Sequence, residues 1–326
     1  MRDRFNGRDR HGMTVVAAAG LVAAMAFGAA AEAAAVAIGT RSDVSEVALE
    51  VDEGSGHLLA VLRYDTATED CLSVNLSTDD GDSWSETCEL CSAHGLGDHL
   101  GTAVVDGFLY VAYVTHTAVH AVQVMRLRTS DGEQDPVYGA HTVLSAGVGE
   151  SICQVALASN GVSWNDRLYL FTISEGALRF LWTDADGGAG AEPWHEVTTG
   201  VTDAWCHMLE AAYNDGYWLG TGYSPVVAYQ SEWDLYLWRY HGDNGPEHFL
   251  FDAEAPVFEY PGSIAVSHDR LEAVYWSYSY ETKACRSDSA GASPSCQPWE
   301  ESTTGFAGDV VAGSAQSFAT AYAPDG

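Results

Sequence analysis

The chain has 326 residues and carries 46 acidic against 14 basic side chains, a formal net charge of −32. A field of that sign repels nucleic acid and anionic membrane surfaces, which excludes both as partners. It also disfavours anionic sugars unless local arginines override it, and the single lysine is Lys283.

The first element is not part of the fold. Arg2, Arg4, Arg8 and Arg10 precede the apolar run "TVVAAAGLVAAMAFGAA", and "AEAAA" then offers small-residue cleavage sites near Ala33 or Ala35. That order is a secretory signal. A membrane anchor fits less well, because the run is rich in Ala and Gly and has no charge on its far side. Residues 1–33 therefore read as a signal peptide and 34–326 as one mature domain. It is expected to be secreted or periplasmic, and off the membrane after cleavage.

Next comes a repeat. Strand-like runs recur as "HLLAVLRY" (57–64), "FLYVAYVT" (108–115), "RLYLFTIS" (167–174), "YWLGTGYS" (217–224), "LEAVYWSY" (271–278) and "SFATAYAP" (317–324). Their starts lie about fifty residues apart, the period of four-stranded repeat units. A short alternating segment precedes each run, and in all but the last a third strand follows, as in "CLSVNLS", "AVQVMRLR" and "DLYLWRY". No helical periodicity of useful length is present outside the signal. The chain is expected to be all-β. It stops just after the sixth second strand, so the last unit reads as incomplete and the reading frame as truncated. Residues 34–44 are expected to supply an outermost closing strand.

After the first third strand stands "STDDGDSW", with Ser77, Asp79, Gly81, Ser83 and Trp84. Short polar side chains here can bond turn amides, and Gly81 can take a positive φ. Worn copies follow later third strands at "TSDG", "DADGG", "HGDNG" and "SDSAG". On these residues the chain resembles the Asp-box (BNR-repeat) propellers of the sialidase superfamily. The resemblance implies a six-bladed β-propeller in which the boxes are structural and lie on the rim, away from substrate.

Sialidases of that superfamily use three arginines, an Arg-Ile-Pro stretch, an acidic residue and a Tyr–Glu nucleophile pair. Guanidinium forks suit a carboxylate ligand. Here no Arg-Ile-Pro occurs, Arg41 lies too far upstream, and the remaining arginines fall mostly on second and third strands. Tyr278 and Tyr280 read as strand aromatics.

The expected first-strand starts instead carry Glu46, Asp98, His99, Glu150, Cys153, His207, Glu210, Tyr260 and Asp309. Carboxylates and imidazoles converging on one channel could serve as acid and base or bind a metal, although a wet channel also tolerates polar groups without a role. Tyr229 and Trp233, placed in or beside an extra loop "SPVVAYQSE", are the candidate sugar-stacking residues.

Seven cysteines in an exported chain point to disulfides with one left over. The candidate pairs are Cys71 with Cys88, Cys285 with Cys296, and Cys153 with Cys206, leaving Cys91 odd. No cofactor is called for. Calcium at the acidic turns stays open, since Asp184 and Asp186 look calcium-like but lack further oxygen ligands. The expected function is a non-catalytic module that binds a neutral glycan or an extracellular protein. The alternative is a glycoside hydrolase, sialidase-type or another exo-glycosidase, or a polysaccharide lyase, using the axial carboxylates and histidines.

Overall fold

A computed structural model describes residues 16–17, 36–38, 44–52, 54–92, 95–160, 167–185, 193–214, 224–240 and 246–252, and beyond these only the strands of the last two sheets. Every regular element among them is a β-strand. None of the described residues forms a helix long and apolar enough to cross a membrane.

Two short strands come first, β1 (Val16–Ala17) and β2 (Val36–Ala37). Sheet I is β3 (Val44–Asp52), β4 (His57–Asp65), β5 (Asp70–Ser77) and β6 (Ser85–Ser92). Sheet II is β7 (Leu96–Val105), β8 (Phe108–Thr115), β9 (Ala121–Arg128) and β10 (Ala140–Ser145). Sheet III holds β11 (Ile152–Ser159), β12 (Arg167–Ser174), β13 (Ala177–Asp184) and β14 (His195–Thr198). In sheet IV stand β15 (Ala204–Asn214), β16 (Ser224–Ser231), β17 (Asp234–Tyr240) and β18 (Pro246–Asp252). Sheet V runs through β19 (Ser263–Ser267), β20 (Arg270–Trp276), β21 (Thr282–Ser287) and β22 (Ser295–Pro298). The last two strands are β23 (Val310–Ala312) and β24 (Phe318–Tyr322).

Sheets I to V are antiparallel meanders in chain order. The sixth sheet has the order β2-β1-β24-β23, so strands from the two ends of the chain meet in it. Val36–Ala37 is its outer strand, as expected. Val16–Ala17 pairs in it with Tyr322 and Ala321. The first strand of each sheet touches the first strand of the next, and β23 touches β3, so the succession closes on itself.

Alternation puts opposite faces of each strand against different neighbours. In sheet I, Leu59, Val61, Leu72 and Val74 pack against Leu109, Val111 and Met125 of sheet II. Leu62, Tyr64 and Cys71 face the other way, with Ile38, Val44 and the partly buried Trp84. The III–IV layer is aromatic. Phe171 stacks on Phe180 at 4.8 Å, and Trp238 closes on both with its indole N–H donating to the Thr199 carbonyl at 3.3 Å.

The chain departs from expectation in sheet IV. "SPVVAYQS" is not a loop but the second strand, β16, whereas residues 217–223 of the expected strand lie outside the described residues. Its run of Val226, Val227, Ala228 and Tyr229 is fully buried, which explains why it pairs rather than loops.

At the centre the first strands come very close. A Cβ on Gly101 would stand 2.6 Å from the Leu157 amide nitrogen and 2.8 Å from the Ala156 carbonyl carbon. Those atoms are backbone and cannot swing aside. Gly101→Ala is therefore expected to destabilise the protein by about 1–3 kcal/mol or more through overpacking. Urea unfolding of the variant checks this; an unchanged midpoint would contradict the close approach.

Candidate active site

In each of sheets I to IV the first strand loses register with the second near its start. The breaks lie between Val44 and Glu46, Leu96 and Leu100, Ile152 and Gln154, and Ala204 and Leu209. Bulges bend a strand and re-aim its side chains. The released segments hold several of the residues singled out from sequence, including His99 and Cys153. They open at the end of the ring where the second-to-third-strand turns also lie.

Glu46 and His99 are brought together there. Glu46 Oε1 accepts the Leu100 amide at 3.0 Å and lies 3.9 Å from His99 Nδ1, with both side chains largely buried. The contact spans two sheets, so neither strand alone could form it. Arg63, assigned by sequence to a second strand without a role, stands opposite Glu46 in register. Its guanidinium donates to Ser45 Oγ at 2.9 Å and to the Leu96 carbonyl at 3.3 Å, and lies 3.8 Å from Asp65. Asp70 accepts the Leu96 amide at 2.9 Å, pinning the start of the same bulge. Arg63 was legible in principle, because counting back from the Asp52–His57 pair puts it across from Glu46.

Glu150 behaves differently. It is exposed, and its carboxylate accepts the Gly147 amide of its own turn at 2.7 Å. Glu210 is half-buried on β15. The side chains of Asp98 and His207, and all of Tyr260 and Asp309, lie outside the described residues. On the second-to-third-strand turn of sheet II, His116 stacks on His120 at 4.6 Å, and in sheet III Ser151 donates its amide to Glu175 at 2.6 Å.

Tyr229 is corrected from a binding residue to a core residue. It is 2% exposed and stacks on Tyr236, because β16 carries it inward. Burial, with Asp203 and Tyr236 close by, pushes its phenol well above the usual range. Trp233 is 51% exposed and meets Trp205 edge-to-face at 5.7 Å. Trp205 was not singled out from the sequence. Its signal was its place beside Cys206 at a strand start.

Cys153 and Cys206 are joined, with Cα atoms 5.7 Å apart, tying the first strands of sheets III and IV. Cys71 pairs with Cys91 and not with Cys88. The reason is register: Cys71 faces Cys91 across the hairpin, whereas Cys88 faces Val74. Cys285 and Cys296 stand opposite each other on the backbone, their side chains lying outside the described residues. One group of metal-type donors occurs among the described residues, Glu69 with Cys71 and Cys91, and the disulfide takes both sulfurs. Asp184 ion-pairs with Arg167 at 2.9 Å, and Asp186 lies outside the described residues.

The turn at 77–84 sits at the opposite end of the strands. Ser77 Oγ accepts the Gly81 amide at 2.9 Å and donates to Asp79 at 2.8 Å. Asp79 in turn accepts the Ser83 amide at 2.9 Å and the Ser83 hydroxyl at 2.6 Å. Gly81 takes φ 91°, which a residue with a Cβ adopts reluctantly. In the next sheet Thr129 donates to the buried Asp52 at 2.6 Å, linking sheets I and II.

No family model matches the chain, and no curated protein does. Solved structures do. An α-L-arabinofuranosidase from Fusarium graminearum is similar at 12% identity and TM-score 0.55, over 86% of this chain and 92% of that one. An α-L-arabinanase from Penicillium chrysogenum is similar at 10% and 0.52, over 89% and 81%. A Trypanosoma rangeli sialidase is similar at 8% and 0.53, over 90% of this chain and 56% of that one. AofleA from Arthrobotrys oligospora matches at 11% and 0.56, over 86% and 79%. The fold is that of the sialidase-like propellers. At these identities the likeness reaches no further than the fold.

Two expectations follow. Non-reducing peptide mapping should find Cys71 linked to Cys91 and alkylation confined to Cys88 among the three cysteines of that hairpin; a Cys71–Cys88 peptide would contradict the register. The second concerns pH. Hydrogen bonds from Ser83 hold the Asp79 carboxyl below the usual carboxylate range. Burial pushes Asp52 up, but bonds from Thr129, Ser55 and Gly54 outweigh it and leave it lowered too. Depressed carboxyls stabilise the fold above their unfolded pKa and lose that contribution as pH falls through the folded one. The melting temperature should therefore hold from about pH 8 to 5 and drop below about pH 4. Asp52→Asn should flatten that drop, as thermal unfolding across pH would show.

Proposed function

We propose that the protein is an exported glycoside hydrolase acting on a neutral glycan, with Glu46 as its acid or base. The observation that carries this reading is the Glu46–His99 contact across two bulged strand starts. It sets a nearly buried carboxyl, held by a backbone amide, at the mouth of the ring. The solved proteins of this fold include an arabinofuranosidase, an arabinanase and a sialidase, which supports hydrolysis over simple binding.

Missing sialidase-type arginines argue against an anionic substrate, not against catalysis. Guanidinium forks serve to neutralise a carboxylate. A neutral furanose or pyranose needs none, and Arg63 is already committed to the wall of the site. In this reading Glu46 exchanges a proton with the glycosidic oxygen, while His99 steadies its charge and orientation. Asp98 and Glu210 are the candidates for the second carboxyl.

We further read the ring as a six-bladed Asp-box propeller whose turn at 77–84 is structural, and residues 1–33 as its export signal. Cleavage near Ala33 or Ala35 would remove Val16–Ala17 and leave the sixth sheet with three strands. The two disulfides fit the oxidising compartment that export implies. The non-catalytic reading survives as the second one, supported by the exposure of Trp233.

The test is a panel of fluorogenic neutral glycosides, including an α-L-arabinofuranoside. Glu46→Gln should lower kcat by about 10²–10⁴-fold with little change in KM. His99→Ala should move the pH optimum of the remaining activity. Full turnover in Glu46→Gln would reject the assignment, and a wholly inert wild-type protein would favour the binding module.

A further inference from the structure

We propose that Trp205 and Trp233 form a stacking subsite for one sugar ring of a neutral oligosaccharide, and that the Cys153–Cys206 bridge holds it at the mouth of the ring. The ligand class rests on the hydrolase reading above; the subsite itself does not use Glu46.

The two indoles come from different elements. Trp233 sits on a two-residue turn closed by the Ser231–Asp234 pair. Glu232, beside it, takes φ 53°, a left-handed conformation unusual for a residue with a Cβ. Two-residue hairpin turns favour such a φ, and Asp106 and Glu175 adopt it in the other tight hairpins. Here the turn leaves Trp233 half in solvent, on the open end of the sheet. Trp205 stands in the break between Ala204 and Leu209, where β15 has no register partner on β16. At the next residue, Cys206, the cross-link ties this break to the first strand of sheet III.

The rings meet at 69°, edge-to-face, and so make a corner rather than a flat patch. A corner suits one ring whose C–H face lies on an indole and whose hydroxyls point outward, whereas a docked protein surface wants a wider apolar area. The polar surroundings agree. Asp203 and Glu232 are exposed beside the two tryptophans, and Asp234 follows. Carboxylates accept hydroxyl bonds and repel anions, so the ligand is a neutral sugar.

The experiment uses the full chain and two probes, arabinotriose and cellotriose, titrated against tryptophan fluorescence. Wild type should give a saturable change with at least one probe. Trp233→Ala should weaken it tenfold or more, and Trp233→Tyr should keep most of it. Cys153→Ser/Cys206→Ser should weaken binding severalfold while unfolding stays cooperative. If that double variant does not fold, Trp205→Ala with the bridge intact must weaken binding instead. Equal affinity in Trp233→Ala, or no saturable response from wild type, overturns the proposal. Trp233-dependent binding without any hydrolysis would keep the subsite and reject only the hydrolase.

Discussion

Close contact between the first strands of neighbouring sheets is the constraint on which the rest depends. Sheets that share a centre have little room there, and backbone must approach backbone. Gly101 against Ala156 and Leu157 shows how little is left. Small residues recur along the crowded edge, with Ala48, Ala103, Ala156 and Ala158 all buried, while the large aromatics lie further out. Volume grows outward, so Phe171, Phe180 and Trp238 fill the space between diverging sheets. The wedge shape of each layer follows from that gradient.

Crowding also explains where chemistry can sit. A strand start cannot both keep its ladder and converge with its neighbours. It gives up the ladder for a few residues, and the freed segment turns its side chains toward the next sheet. Glu46 meets His99 for this reason, and Cys153 meets Cys206 for the same one. Inter-sheet contacts at the mouth are thus a by-product of closing the ring, available to whatever residues stand there.

Much of the fold was legible because third strands and turns repeat at a fixed spacing, and each turn residue has a local reason to be there. The all-β class, the third strands and the Ser77–Trp84 turn needed no tertiary information. Sheet IV was misread because "YWLGTGYS" and "SPVVAYQS" look equally strand-like, and only burial of Val226 to Tyr229 separates them. That slip moved Tyr229 from a loop into the core. The Glu46–His99 pair could be named residue by residue but not as a contact, since it depends on how far two sheets converge. Cys71–Cys91 was out of reach of counting: an unbroken register from Leu76–Ser85 sets Cys71 opposite Leu90, and the bulge between Val74 and Asn75 brings Cys91 across instead.

That register also matters while the chain is still oxidising. Three thiols within one hairpin can form a wrong bridge before the right one. Cys88 is a poor competitor in the formed hairpin. Burial raises its pKa most; a bond with the Gln134 backbone partly offsets this, and Glu133, Glu86 and Glu89 add smaller upward pushes, so the thiol stays protonated. Thiolate is the form that attacks, so a protonated sulfur on the opposite face of β6 is kinetically quiet. Burial against the next sheet thereby quiets the spare sulfur once the sheets have packed.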